Sequence, residues 1–149
     1  MRRSFNHEGI EYSSLFEMEF AKDLIRRKIE FEYESYKLEY LLKVRGGKCL
    51  DCASKDVVEK HIYWPDFYLP KQGIFVETKG KFSPKDRNKI LAVIKNNPGI
   101  DLRLIFMRDN WTTRTHNAKY SDWCKKNNVE YSFVFLPDVW AKHRREKLT

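Results

Sequence analysis

The chain has no run approaching the roughly 20 consecutive apolar residues that a membrane-spanning helix needs, so it offers no candidate transmembrane helix. Its opening stretch, MRRSFNHEG, is basic but lacks the apolar core of a secretory signal. Cysteine is scarce: three residues, an odd number, build no disulfide framework and suit a reducing compartment. Internal repeats and low-complexity tracts are missing. These absences predict a cytoplasmic protein with no membrane partner. Acidic residues are also in short supply, 21 Asp and Glu against 29 Lys and Arg, for a formal net charge of +8. Such a surplus points to an anionic partner, nucleic acid ahead of an acidic membrane surface. Charge kept for solubility alone is the plain alternative.

What is present suffices for one domain. The 149 residues are 42% hydrophobic and 15% aromatic, which excludes disorder by composition. Residues 1–12 read as a loose basic arm. A helix is expected from Ser14 to about Lys28, because Leu15, Phe16, Phe20, Leu24 and Ile25 recur at helical spacing. Alternation at Ile29, Phe31 and Tyr33 predicts one or two strands in IEFEYESYKLEYLLKV. Gly46-Gly47 mark a turn inside an excursion at 43–60. HIYWPDFYLP and GIFVETKG read as a strand pair joined by a turn at Pro70–Gly73. Ser83 as N-cap, Pro84 at the first helical position and Asp86 in the first turn start a helix that ends at Asn96–Gly99. DLRLIFM, with Leu104 to Met107 all apolar, predicts a buried central strand. A short helix around Tyr120–Asn127, the strand VEYSFVF and a basic tail at 141–149 follow. The fold class is therefore mixed α/β, a small sheet flanked by helices across residues 13–140.

Chemistry concentrates in WPDFYLPKQGIFVETKG. Strand alternation puts Ile74, Val76 and Thr78 on one face and Phe75, Glu77 and Lys79 on the other. If the two strands are neighbours, Asp66 and Glu77 converge. Two close carboxylates repel unless neutralised, and a hard divalent cation such as Mg²⁺ does this through oxygen ligands. Lys79 shares the face of Glu77 and can orient a water or stabilise charge on phosphorus. Two carboxylates and a lysine in a basic chain suit phosphodiester hydrolysis. The plain alternative is an exposed polar face on an edge strand.

Pro65-Asp66 followed by Glu77-Thr78-Lys79 fits the PD-(D/E)xK nuclease pattern. With YSSLFEMEFAKDLIRRKIEFEYE, PDFYLP, GIFVETKG, Asp86-Arg87, IDLRLIF and YSDWCKKNNVEY in this order, the chain resembles the phage endonuclease I family over about residues 12 to 136. These are Holliday-junction resolvases. The resemblance implies a restriction-endonuclease-like fold and a domain-swapped homodimer acting on four-way junctions, in the host cytoplasm if phage-encoded. It implies catalytic Glu17, Asp66, Glu77 and Lys79. It further implies two Mg²⁺ or Mn²⁺ ions per site, held by Asp66, Glu77 and the carbonyl of Thr78. Each site would take Glu17 from one chain and Asp66, Glu77 and Lys79 from the other. Residues alone favour a different role for Glu17: Ser14-Leu15-Phe16-Glu17 is a capping box. The two roles compete for one carboxylate, which would leave Ser13 as the cap.

The excursion at 43–60 departs from the family. It carries Cys49-Leu50-Asp51-Cys52, half of a zinc knuckle, and two copies meeting at a twofold axis would supply four thiolates to Zn²⁺. Two reduced cysteines in a loop is the alternative. Cys124 reads as core, and Trp111, Trp123 and Trp140 as core or interface. Candidate DNA contacts are Arg2, Arg3, Lys81, Lys85, Arg87, Arg114 and the Lys142–Lys147 tail, with Arg87 favoured because it opens a helix beside the site. Two other readings share these features: a nuclease of the same fold that cuts linear or damaged duplex, and a DNA-binding module without activity.

Overall fold

A computed structural model describes residues 4–45 and 56–144. Two strands, β1 (Phe5–His7) and β2 (Ile10–Tyr12), precede helix α1 (Leu15–Arg26). Then come β3 (Glu32–Tyr33), β4 (Leu38–Arg45), β5 (Asp56–Tyr63), β6 (Phe67–Leu69) and β7 (Ile74–Lys79). Helix α2 (Pro84–Asn96), β8 (Leu102–Phe106), α3 (Tyr120–Lys126) and β9 (Tyr131–Phe133) complete the order.

The main sheet has five strands in the order β3-β6-β7-β8-β9. β6 and β7 run antiparallel, whereas β7, β8 and β9 are parallel, with α2 and α3 as the crossovers. The predicted alternation along β7 divides the core in two. Ile74 and Val76, with Ile105 from β8, pack with Phe20, Ala21 and Leu24 of α1. Phe75, with Leu104 and Phe106, packs with Ile90 and Val93 of α2 and with Cys124 of α3. This is a mixed sheet with helices on both faces, as the sequence implied.

Three stretches differ from expectation. Residues 4–12 are not a loose arm but a hairpin, in which Phe5 pairs with Tyr12 and Tyr12 is fully buried. Its turn residues Glu8 and Gly9 both take positive φ, 48° and 81°, the geometry that matches strand twist in a two-residue hairpin. The two ends of the excursion, residues 43–45 and 56–60, are strand: β4 and β5 pair continuously from Leu38–Tyr63 to Arg45–Asp56. Residues 46–55, with Cys49 and Cys52, lie outside the described residues. The apolar run of β8 stops being buried at Met107, which is 49% exposed.

Candidate active site

Asp66 occupies the bend between β5 and β6, after Pro65 has broken the ladder. Its Oδ2 accepts both the backbone N–H of Thr78, at 2.9 Å, and the Thr78 hydroxyl, at 2.8 Å. Its backbone carbonyl accepts the N–H of Glu34 at 2.9 Å. That bond continues the β3–β6 pairing, in which Tyr33 faces Phe67, and it delivers Glu34 to the site. Glu34 takes a left-handed φ of 46° there. Carboxylate oxygens of Glu17, Glu34 and Asp66 lie within 4.8 Å of one another.

Glu17 reaches this cluster from the first turn of α1 while still closing the capping box. The Ser14 hydroxyl accepts the Glu17 N–H at 3.1 Å, and Glu17 Oε2 accepts the Ser14 N–H at 3.0 Å. The same oxygen accepts the Tyr33 hydroxyl at 3.1 Å. Capping thus occupies Oε2, and among the described residues Oε1 has no hydrogen bond. The cap therefore engages only one of the two carboxylate oxygens. Ser14 is the cap, and Ser13 is not: its N–H and hydroxyl meet the Tyr33 oxygen at 3.2 and 3.3 Å.

Glu77 adjoins Asp66 through the backbone, since its Oε2 accepts the Asp66 N–H at 3.1 Å. The Tyr63 hydroxyl donates to that same oxygen. Lys79 Nζ lies 3.3 Å from Glu77 Oε1 and 3.7 Å from Asp86 Oδ1. Asp86 in turn uses Oδ2 to cap α2 through Ser83. Glu77 stands outside the set of carboxylates gathered around Asp66, on the sheet face that looks toward α2.

The surroundings of the two buried carboxyls disfavour their negative charge. Burial drives Asp66 well above the usual carboxylate range, and repulsion from Glu77 and Glu17 adds to it. Burial also raises Glu77, although Lys79, the Tyr63 hydroxyl and the Asp66 N–H pull the other way. Burial opposes the Lys79 charge, but Glu77, Asp86 and Asp66 prevail and hold it above its ordinary value. For Asp86 burial is outweighed by Lys79 and the bonds from Ser83, so it falls below its ordinary value. A pocket of buried carboxyl oxygens whose negative charge is disfavoured fits a hard divalent cation.

The predicted Asp66, Glu77, Thr78 and Lys79 are brought together, and Glu17 joins them within one chain. Sequence reasoning missed three neighbours. Glu34 depends on the β3–β6 pairing, for which no motif speaks. Tyr63 stands three positions before Asp66, and a tyrosine at the end of a strand carries no signal of a polar role. Asp86 reads from the sequence as a first-turn acid and as part of the Asp86-Arg87 pair, with no sign that it meets Lys79. Among the candidate DNA contacts, Lys81, Lys85 and Arg114 are exposed. Arg87 is partly buried, and its Nη1 donates to the Phe82 carbonyl at 2.8 Å, which secures the start of α2. Arg2, Arg3 and residues 145–147 lie outside the described residues. Cys124 is buried as expected, which pushes its thiol up to about 12. Trp140 is buried, but Trp111 is 43% exposed and stacks on His116, 4.9 Å between ring centroids, so it is no core residue.

Comparison with known proteins identifies the family. The family model described as Phage endonuclease I matches residues 1–149. The chain is 30% identical over 142 residues to "Endonuclease I" of Escherichia phage T7, which spans 92% of this chain and 83% of that protein. It is 28% identical over 142 residues to "Endodeoxyribonuclease 1" of Enterobacteria phage T3, spanning 95% and 84%. With a match along its whole length, the chain belongs to the phage endonuclease I family and is an endonuclease.

Proposed function

We propose that the chain is a divalent-metal-dependent endodeoxyribonuclease that selects four-way junctions and other branched DNA by shape. The observation that supports it most is the double surrounding of Asp66. Glu17 and Glu34 lie on one side of it, and Glu77 with Lys79 on the other. Asp66 and Glu77, with the Thr78 carbonyl, would hold Mg²⁺ or Mn²⁺, and Glu17 and Glu34 supply the oxygens for a second ion. Bound there, the metal supplies a nucleophilic water at neutral pH and neutralises charge on the phosphate. Thr78 fixes one Asp66 oxygen and leaves the other for a ligand. Lys79, kept charged by Glu77 and Asp86, offers its ammonium hydrogens to a phosphate oxygen as negative charge develops.

Lys81, Lys85, Arg87 and Arg114, with Arg2, Arg3 and the Lys142–Lys147 tail, are the backbone contacts. Phosphate contacts carry no sequence information, so recognition rests on shape. A homodimer would place two such sites across a branch point. In this chain Glu17 closes onto its own Asp66; a domain swap exchanges identical elements and would form the same contact between chains. Two copies would also pair Cys49 and Cys52 into a four-thiolate site for Zn²⁺. The enzyme would work in the host cytoplasm.

A cleavage assay with Mg²⁺ tests this reading by comparing a four-way junction with a linear duplex of the same arm sequence. Symmetric cutting of the junction, a spared duplex and an inactive Glu77→Ala variant that still binds are expected. Equal cutting of both DNAs overturns junction selection and leaves a general duplex nuclease.

A further inference from the structure

We infer that Tyr63 is a positioning residue of the metal site, its hydroxyl fixing the Glu77 carboxylate so that Oε1, the oxygen beside Lys79, is the one a cation would meet. This rests on the metal-dependent reading above and adds a residue to it. Tyr63 closes β5, so hairpin β4–β5 reaches the site through this side chain. Its ring is 2% exposed, and its hydroxyl donates to Glu77 Oε2. The Asp66 N–H donates to the same oxygen at 3.1 Å. Two donors on one oxygen fix the carboxyl plane and direct Oε1 toward Lys79, 3.3 Å away. Metal-ligating carboxylates are commonly held this way by a neighbouring donor, which sets their orientation.

One further contact bears on Tyr63. The ammonium of Lys89, on α2, lies 4.8 Å from the ring centroid, over the ring face. Lys79 cannot replace the Tyr63 hydroxyl, because its ammonium is shared between Glu77 and Asp86 on the other oxygen.

The test is Tyr63→Phe in the full-length protein, which keeps the ring and the Lys89 contact. Mn²⁺ binding without DNA is measured by calorimetry for wild type, Tyr63→Phe, Glu77→Gln and the double variant, with circular dichroism melts to confirm folding. Tyr63→Phe should weaken Mn²⁺ binding about tenfold or more. In the Glu77→Gln background it should add nothing, because it acts through Glu77. The Mg²⁺ concentration for half-maximal junction cleavage should rise in step, with metal-free junction binding unchanged. Mn²⁺ affinity equal to wild type, or a loss that adds to Glu77→Gln, overturns the assignment even if the enzyme cuts junctions. Should wild type cut no branched DNA, the substrate reading fails while the Mn²⁺ cycle still decides the role of Tyr63.

Discussion

Thr78 gives both of its hydrogen-bond donors to a single oxygen of Asp66, the backbone N–H at 2.9 Å and the hydroxyl at 2.8 Å. Asp66 Oδ2 is therefore saturated from one side. Thr78→Val keeps the shape and the backbone donor but deletes the hydroxyl. Loss of one hydrogen bond to a buried charge costs about 1.5–3 kcal/mol, in folding or in presentation of the carboxylate. Cleavage at low Mg²⁺ should fall about tenfold to a hundredfold and recover as Mg²⁺ is raised. A Mg²⁺ titration of cleavage rate checks it; an unchanged curve shows that the backbone donor suffices.

The raised carboxyls of Asp66 and Glu77 make stability depend on pH in a defined direction. A carboxyl with a raised folded-state pKa binds its proton more tightly in the native protein than in the unfolded chain. It is no burden below the unfolded value near pH ~4, and stability is lost as pH rises through the raised pKa. Asp86 has the opposite sign, but its contribution is lost as pH falls through its lowered pKa, below this window. Metal-free protein should therefore lose stability through this pair as pH rises above the unfolded carboxyl value of ~4. Asp66→Asn should flatten that loss, and Mg²⁺ at about pH 8 should oppose it in wild type only. Calorimetric melts with and without chelator measure this, at about 2–4 °C per kcal/mol for a chain of this size.

How much of this was legible depends on sequence separation. Asp66, Glu77 and Lys79 lie close together in a patterned strand pair, so alternation placed Glu77 and Lys79 on one face correctly. Glu17 was ambiguous because a capping box and a metal ligand ask for the same residue type, and a sequence does not say that two oxygens can be divided. Glu34 reaches the site only because Tyr33 pairs with Phe67 across the intervening hairpin. No local pattern encodes a two-residue edge strand. The β1–β2 hairpin was missed for a related reason: three-residue strands are too short for periodicity, and only Glu8-Gly9 hinted at a turn.

Cations at the start of α2 should govern the salt dependence of junction binding. Removing a cation that neutralises one phosphate should reduce the slope of log K against log salt by about 0.9. Lys85→Ala should do this without altering the melting temperature, since the side chain is exposed. Arg87→Ala should reduce the slope and also lower the melting temperature, because Arg87 Nη1 holds the Phe82 carbonyl. Metal-free binding over a range of salt concentrations separates the two. Equal slopes for wild type and Lys85→Ala would take Lys85 out of the DNA interface.

Arg27 should matter for folding and not for chemistry. Its Nη1 donates to Asp23 Oδ2 at 3.2 Å and to the Leu136 carbonyl at 2.7 Å, and its Nη2 to Asp138 Oδ1 at 2.8 Å. One side chain thus ties α1 to the segment after β9. Arg27 is 18% exposed and Asp23 8%, so the pair is largely screened from water. Removing one partner of a buried pair costs about 3–5 kcal/mol. The loss should fall at the low end, because Arg26 remains on Asp23 and Asp138 is fully exposed. Arg27→Ala should lower the melting temperature by about 6–12 °C. Arg27→Lys should recover only part of this, since an ammonium cannot spread its donors over three separated acceptors. None of these partners touches Asp66, Glu77 or Lys79, so cleavage measured well below the melting temperature should match wild type. A slowed cut in folded Arg27→Ala would mean that the segment after β9 bears on the site itself.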